Sequence, residues 1–150
     1  MNAANQYEIS TDPARLDVDV IHDFLRTTYW AKDVSRSLVE KSIRHSLCFG
    51  VYAGGRQVAF ARVVTDFARV AYLADVFVVP EHRRRGVAKR LIRAIVDHPE
   101  LEGLRRILLA TRDAHGLYAQ FGFRPLANPE EFLIRRCPDP NLKAANSNEE

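Results

Sequence analysis

The segment of residues 78–91 contains the residue types of an anion-binding turn. An apolar strand ends at Pro80, and three consecutive arginines then lead directly into a predicted helix. The first turn of a helix has backbone N–H groups without intrahelical partners, and the helix dipole adds partial positive charge there. The small residues Gly86 and Ala88 would let an anion reach this backbone. The segment therefore predicts a binding site for a pyrophosphate group.

Two familiar nucleotide motifs are absent from this segment. The pattern G-x-x-x-x-G-K-[ST] does not occur, and the dinucleotide fingerprint needs three glycines where this turn has one. The alternative interpretation is a solvated basic turn in front of an ordinary helix. Other segments of the chain decide between a pyrophosphate site and a solvated turn.

A second candidate segment lies at residues 104–123. It begins with an apolar run typical of a buried strand, and a short helix follows that Gly122 ends. Tyr118 lies in this helix, and its hydroxyl could donate a proton to a leaving group as negative charge develops. The alternative role for Tyr118 is packing of its aromatic ring.

The elements that must position these segments are predicted from periodicity and turn residues. The predicted strands are Tyr7–Ser10, Leu47–Ala53, Gln57–Thr65, Val70–Val79, Leu104–Ala110, Phe123–Leu126 and Phe132–Arg136. The predicted helices run from Pro13 to about Thr28, from Ser35 or Ser37 to about His45, from Gly86 to Val96, and from Ala114 to Phe121. We expect an α/β fold with a mixed, mostly antiparallel central sheet of about six or seven strands, flanked by about four helices.

Length and composition indicate one globular domain. The chain has 150 residues, of which 47% are apolar and 27% charged, and it has no repeats or linker. We predict a single domain at residues 1–137 and a flexible tail at residues 138–150. No apolar run approaches the roughly 20 residues that cross a bilayer. Cys48 and Cys137 are expected to be buried free thiols, which favours a reducing cytoplasm.

The positive charge is concentrated in one region. The net charge is +3, yet residues 83–112 carry nine Lys or Arg and only three acidic residues. Such a region favours an anionic partner: a nucleic acid, an acidic membrane surface or a small polyphosphate. Against nucleic acid, the region lacks interleaved aromatic residues and a clear helix-turn-helix pattern. We expect neither a nucleic-acid nor a membrane partner.

Together the two segments resemble the GNAT superfamily of N-acetyltransferases. That family has Arg/Gln-x-x-Gly-x-Gly/Ala at the start of its central helix, matched here by Arg83-x-x-Gly86-x-Ala88. Further along, it has a buried strand and a short helix that ends Leu-Tyr-x-x-x-Gly-Phe, matched here at residues 117–123. The order of predicted elements is similar from about Tyr7 to Arg136.

The resemblance implies an enzyme that uses acetyl-coenzyme A as co-substrate and needs no metal. It implies that the backbone of the basic turn binds the pyrophosphate, that the end of the preceding strand pairs with pantetheine, and that two positions near the short helix contact the cofactor. The basic turn consists of Arg83, Arg84, Arg85, Gly86, Val87, Ala88 and Lys89. The strand end consists of Phe77, Val78 and Val79, and the two positions near the short helix are Thr111 and Ala114. Thr111 stands where the family often has Asn. The resemblance assigns Tyr118 as the acid that protonates the departing thiolate.

The acceptor side is less defined by the sequence. In this architecture the loop after the first helix and the middle strands would line the acceptor site, which indicates Tyr29, Trp30, Arg62 and Asp66. The base that receives the amine proton is expected to be Asp75, which lies in an otherwise apolar run. Asp66, Asp113, His115 and a chain of water molecules are the open alternatives.

The sequence thus predicts an N-acetyltransferase that acts on the primary amine of a small molecule or peptide by direct attack. The alternative is a protein of the same fold that binds acyl-coenzyme A with little or no turnover. The resemblance also makes a homodimer an expected assembly.

Overall fold

The computed structural model describes residues 6–138. Residues 139–150, most of the predicted tail, lie outside the described residues, as do residues 1–5. Five strands form one sheet in the order β1-β2-β3-β4-β5. The strands are β1 (Tyr7–Ser10), β2 (Leu47–Ala53), β3 (Arg56–Thr65), β4 (Val70–Val78) and β5 (Arg106–Leu109). The first four are antiparallel neighbours, and β5 lies parallel to β4. The predicted mixed, mostly antiparallel α/β sheet is confirmed, with fewer strands than expected.

Four α-helices accompany the sheet, as predicted. They are α1 (Val18–Leu25), α2 (Arg36–Arg44), α3 (Val87–Val96) and α4 (His115–Ala119). The predicted first helix, from Pro13 to Thr28, is divided. Asp12 caps a 3-10 turn at Pro13–Arg15, and the Asp17 side chain then accepts the Val20 N–H and starts α1 anew.

The helices cover the two faces of the sheet. On one face, α3 contributes Leu91, Ile92 and Ile95 to a core with the inward side chains of β2 to β5. On the other face, α1 and α2 cover Cys48, Phe60 and Phe77. Helix α2 buries Val39, whereas the neighbouring Leu38 is 43% exposed. The side of α2 that packs against the core carries Val39 and Ile43, which are four residues apart and therefore lie on one face of the helix.

The last two predicted strands do not form in the described structure. Residues 123–128 and 132–138 have no strand, and a 3-10 turn occupies Pro129–Glu131. Leu133 is 97% exposed and Ile134 is 76% exposed, so these apolar side chains have no core to pack against. Strand propensity alone is insufficient without such packing. Cys137 is exposed for the same reason, which corrects the expectation of a buried thiol.

Strands β4 and β5 separate part of the way along their length. The register pairs Val70–Leu73 with Arg106–Leu109, and residues 74–78 of β4 have no partner on that side within residues 6–138. A bulge interrupts the β3–β4 register close by, at Asp75, whose φ is +56°. Such a backbone is uncommon for a residue other than glycine. The opening between β4 and β5 is the feature around which the candidate site is built.

Candidate active site

The turn before α3 presents unpaired backbone N–H groups. Gly86 has φ +77° and Arg84 has φ +62°, both left-handed, and no side chain caps α3. Within residues 6–138, no acceptor receives the N–H groups of residues 84–89. Alternating left-handed and right-handed backbone aims successive N–H groups into a concavity that suits an anion. The binding of a pyrophosphate at this turn stays a prediction.

The side chains of the turn divide into two groups. Arg84, Arg85 and Lys89 are exposed and form no ion pair with any described residue. Val87 is buried in the core and anchors α3 beneath the turn. Arg83 is directed at the protein itself, because its Nε donates to the Val78 carbonyl at 3.0 Å. Arg83 thus ties the turn to the end of β4 in this structure.

Two residues that the sequence did not single out also fix this turn. The Tyr7 hydroxyl and His82 Nδ1 lie 2.8 Å apart, which connects β1 to the 3-10 turn Pro80–His82. Their separation of 75 residues hides this contact from any local pattern. Because of it, the turn is held against the sheet.

The end of β4 presents backbone and not side chains to the opening. The Phe77 ring is buried and stacks on Phe24 with ring centroids 4.2 Å apart. The Val79 N–H is taken by the Val58 carbonyl at 2.9 Å. Residues 74–78 therefore leave one backbone edge of β4 available along the opening.

Tyr118 is buried on the α3 side, and its hydroxyl is unpaired. The ring packs edge-to-face on Phe123 at 5.7 Å. The hydroxyl forms no hydrogen bond within residues 6–138, yet it is not sealed from solvent. Burial raises the pKa of this phenol, with smaller contributions in the same direction from Asp113 and Tyr29. Tyr118 is therefore protonated at neutral pH.

Thr111 begins the segment that positions Tyr118. Its Oγ1 accepts the Ala114 N–H at 3.1 Å and holds the turn that precedes α4. Asp113 and His115, which stand on either side of Ala114, are both exposed.

Asp75 is the centre of a polar cluster on the opposite side of the sheet. Its Oδ1 accepts the Trp30 Nε1–H at 3.0 Å, and its Oδ2 accepts the Arg62 Nε–H at 2.8 Å. Arg62 also donates to the Ser46 hydroxyl at 3.2 Å. The strained bulge of β4 thus fixes the α1–α2 loop through the indole of Trp30.

The same loop also contacts the chain beyond β5. The Arg112 guanidinium lies 4.0 Å from the centroid of the Tyr29 ring, a cation–π contact. Tyr29 in turn packs edge-to-face on Trp30 at 5.1 Å. Residues Tyr29 and Trp30 therefore bridge the two strands that separate, as a lining of the opening would require.

The structure places Asp66 apart from this cluster. It lies at the tip of the β3–β4 hairpin, where its Oδ1 accepts the N–H groups of Ala68, Arg69 and Val70. These hydrogen bonds lower the pKa of the carboxyl to about 2. Asp75 lies five residues beyond Val70 on β4, about 16 Å further along, because a strand rises about 3.3 Å per residue.

Two further features of the described residues bear on function. Residues 6–138 bring no three His, Cys, Asp or Glu side chains together as a metal site would need. In the same part of the chain, no helix has the length and apolar character of a membrane span.

Comparison with known proteins assigns the family. Residues 16–123 match the model of the Acetyltransferase (GNAT) family. The chain is 31% identical over 137 residues to a Gibberella zeae protein that carries the name "Putative acetyltransferase FG08082", covering 76% of each chain.

Solved structures agree with this assignment. A GNAT-family protein of Xanthomonas campestris pv. campestris is 54% identical, with a TM-score of 0.85 over 88% of this chain and 94% of the other. The Staphylococcus aureus protein SA2161 shares the fold at 19% identity, with a TM-score of 0.70 over 88% of this chain and 99% of the other. The family match covers most of the described residues, and the structure has open amides in the α3 turn beside two strands that separate. The chain therefore belongs to the GNAT family of acetyltransferases.

Proposed function

We propose that this protein transfers the acetyl group of acetyl-coenzyme A to the primary amine of an acceptor by direct attack. The observation that carries the proposal is the opening between β4 and β5. The N–H groups of residues 84–89, which no described residue accepts, lie in the turn that follows β4. Tyr118 lies on the face of the sheet that α3 covers. The Trp30–Asp75–Arg62 cluster lies on the other side.

The residues present fit acetyl-coenzyme A as co-substrate. The amides of residues 84–89 would bind the pyrophosphate, and Arg84, Arg85 and Lys89 would add positive charge around it. The free edge of β4 at residues 74–78 would hydrogen-bond the amide groups of pantetheine. Thr111 and Ala114, which share a hydrogen bond ahead of α4, would contact the co-substrate near Tyr118. The acetyl thioester is the group that the co-substrate supplies.

Tyr118 would act on the leaving group. As the amine nitrogen forms a bond to the carbonyl carbon, the carbon–sulfur bond breaks and charge develops on sulfur. A phenol O–H at this point would stabilise the thiolate and give it a proton. The unpaired, solvent-accessible hydroxyl and the raised pKa of Tyr118 both support this role.

Asp75 is the proposed acceptor of the amine proton. It lies on the side of the opening lined by Tyr29 and Trp30, and its carboxylate is fixed by two donors. Proton transfer would require the amine to replace or share one of these hydrogen bonds. Asp113, His115 and a water chain remain the other candidates.

The test combines binding with turnover. Gly86→Glu adds a negative charge, and it forces a side chain onto a left-handed backbone position. We expect the variant to keep its circular dichroism spectrum and to lose most acetyl-coenzyme A binding in calorimetry. Gly55→Glu is the matched control, because Gly55 is also left-handed but lies in the β2–β3 turn. Unchanged affinity in a folded Gly86→Glu protein would refute the site.

A second function has one observation in its favour. Both Asp75 oxygens are already engaged, which suits a protein of this fold that binds acyl-coenzyme A without efficient turnover. Thiol release from acetyl-coenzyme A, measured over a panel of amines, amino acids and peptides, separates the two. Binding without release for any acceptor would favour the binding protein.

A cytoplasmic location is part of the proposal. Both cysteines are free, and Cys137 is exposed, which suits a reducing compartment. Burial raises the pKa of the Cys48 thiol to about 12, so that thiol is unreactive at neutral pH.

A further inference from the structure

Tyr7 contacts the chain on both sides of the turn that precedes α3. Its hydroxyl shares a hydrogen bond of 2.8 Å with His82 Nδ1, and the two rings pack edge-to-face at 5.6 Å. Its carbonyl accepts a hydrogen bond from Arg90 Nη2 at 3.3 Å. His82 and Arg90 flank residues 84–89, the segment whose N–H groups no described residue accepts. One buried residue of β1 therefore holds both ends of the open turn.

The backbone of this turn has a conformation that needs support from outside. Arg84 has φ +62°, which is uncommon for a residue other than glycine, and Gly86 follows at +77°. Both residues are exposed, and no side chain caps α3. A backbone of this kind persists where surrounding contacts enforce it. The contacts of Tyr7 with His82 and Arg90 act on the two segments that join the turn to the rest of the molecule.

Strand β1 depends on these contacts in return. It has four residues and pairs only with β2 in the part of the chain that the structure describes. The Arg83–Val78 hydrogen bond joins neighbouring parts of the chain, whereas Tyr7 reaches His82 across 75 residues. A short strand at the edge of a sheet opens more readily than a central one. The shape of the turn and the order of β1 are therefore coupled.

We infer that Tyr7 is a positioning residue for the co-substrate. The inference rests on the proposed binding of acetyl-coenzyme A at residues 84–89. Tyr7 acts through His82 and Arg90 and not on the anion itself: it keeps the N–H groups in the arrangement that receives the pyrophosphate, so binding does not have to order them. By linkage, bound co-substrate stabilises the contacts of Tyr7 by the same factor. The edge strand β1 thus takes part in binding although it lies away from the opening.

Removal of one hydroxyl tests this role. Tyr7→Phe keeps the ring beside His82 and the carbonyl that Arg90 contacts. We expect the calorimetric Kd of acetyl-coenzyme A and its KM to rise about fivefold, the usual effect of one lost hydrogen bond, with kcat unchanged. Tyr52→Phe is the matched control, because Tyr52 lies on β2 opposite Glu8 and its buried hydroxyl has no hydrogen bond among the described residues. It should leave all three constants unchanged.

A second variant tests whether Tyr7 acts through His82. His82→Phe keeps a ring and removes Nδ1, so it should raise the Kd of acetyl-coenzyme A by a similar factor. The double variant Tyr7→Phe with His82→Phe should bind no more weakly than either single variant, because both changes break the same hydrogen bond. Losses of affinity that multiply in the double variant would show two independent effects and would overturn the inference.

A shorter donor distinguishes positioning from a general loss of structure. S-acetylpantetheine has the thioester and the amides of pantetheine, but it lacks the pyrophosphate and the nucleotide. Tyr7→Phe should leave kcat/KM for this donor unchanged, because the donor has no group for residues 84–89 to bind. An equal fall in kcat/KM with both donors would assign Tyr7 a merely structural role.

Hydrogen exchange measures the reverse effect without turnover. Saturating acetyl-coenzyme A should slow the exchange of the β1 N–H groups about fivefold more in the native protein than in Tyr7→Phe. The N–H groups of α2, which packs on the other face of the sheet, are the reference. A native protein that binds acetyl-coenzyme A, but whose β1 exchange and Tyr7→Phe affinity do not change, would overturn the inference alone. Failure of the native protein to bind acetyl-coenzyme A in calorimetry would overturn the proposed function, and the inference with it.

Discussion

At the scale of single residues, the site depends on side chains that contacts with neighbouring residues hold in place. Tyr118 has a buried ring and a hydroxyl without a hydrogen bond in the part of the chain that the structure describes, whereas the Tyr7 hydroxyl lies against His82 Nδ1. Asp75 adopts a strained backbone and binds both Trp30 and Arg62. Strain of this kind persists where surrounding contacts enforce it, often at functional sites.

The hydroxyl of Tyr118 gives the clearest test at this scale. Tyr118→Phe keeps the ring and its contact with Phe123, so we expect the thermal midpoint to change little. If the hydroxyl protonates the leaving thiolate, kcat should fall by roughly 10²–10⁴ with a smaller effect on KM. Steady-state thiol release with the best acceptor measures both constants.

The pH dependence supplies the control for this variant. Because the pKa of Tyr118 is raised above its ordinary value of 10.0, the phenol keeps its proton until the pH exceeds about 10. The native rate should therefore lose the contribution of Tyr118 only above that pH, and Tyr118→Phe should lack this alkaline step. A variant that retains more than about half of the native kcat would remove Tyr118 from the mechanism.

At the scale of elements, short-range patterns predicted the first five strands and the position of all four helices. Helix caps such as Ser35, the glycines of the β2–β3 turn and alternating apolar residues are local signals, and the structure contains all three. The last two predicted strands failed because a strand needs a neighbour and a core, which Leu133 and Ile134 lack. The bulge at Asp75 was also invisible in the sequence, because it depends on the register with β3.

The same reasoning explains which site residues could be predicted. Gly86 and Tyr118 lie in motifs that are contiguous in sequence. The Tyr7–His82 contact and the Arg62–Asp75 ion pair join distant segments, and only the folded chain brings them together. Tyr29 and Trp30 were singled out from their place in the loop after the first helix, but their contacts with Arg112 and Asp75 were not predicted.

The β3–β4 hairpin makes its own prediction. Asp66 accepts three backbone N–H groups, which lower its pKa to about 2 from 3.8 in the unfolded chain. A lowered pKa stabilises the folded state above pH 4, and this contribution is lost as the pH falls toward 2. Asp66→Asn keeps an acceptor oxygen but cannot titrate. Its urea midpoint should therefore fall less between pH 4 and pH 2 than that of the native protein.

The control for the hairpin is Glu130→Gln, an exposed acid without an ion pair among the described residues. It should follow the native acid profile. If Asp66→Asn and the native protein lose stability in parallel over that range, the carboxyl does not titrate with a lowered pKa. Carboxyl chemical shifts in NMR would measure the titration directly.

At the scale of the whole molecule, charge is distributed unevenly. The overall charge is +3, while residues 83–112 alone carry nine basic and three acidic residues, a local charge of +6. Arg84, Arg85 and Lys89, which form no ion pair with any residue of 6–138, lie next to the open amides of α3. The molecule thus directs positive potential toward the expected pyrophosphate.

This distribution predicts a salt dependence. Replacing Arg84, Arg85 and Lys89 together with Gln should weaken acetyl-coenzyme A binding and flatten its dependence on salt, because exposed charges are screened with a Debye length of about 10 Å at 0.1 M. Calorimetric titrations at 50 and 500 mM NaCl would measure this. The matched control replaces Arg44, Arg56 and Arg69, which are exposed elsewhere. An equal salt dependence in both triple variants would show that these charges do not face the co-substrate.

The outer edge of β5 affects how the protein behaves in concentrated solution. That edge has no strand beside it within residues 6–138, and an open cavity of about 1090 Å³ lies between it and residues 124–132. Unpaired edges are templates for the addition of a strand from another molecule, and charged residues such as Arg106 on the edge oppose this. Self-association should therefore be weak at low salt and grow as salt screens these charges, so ionic strength would set the concentration at which the protein stays monodisperse.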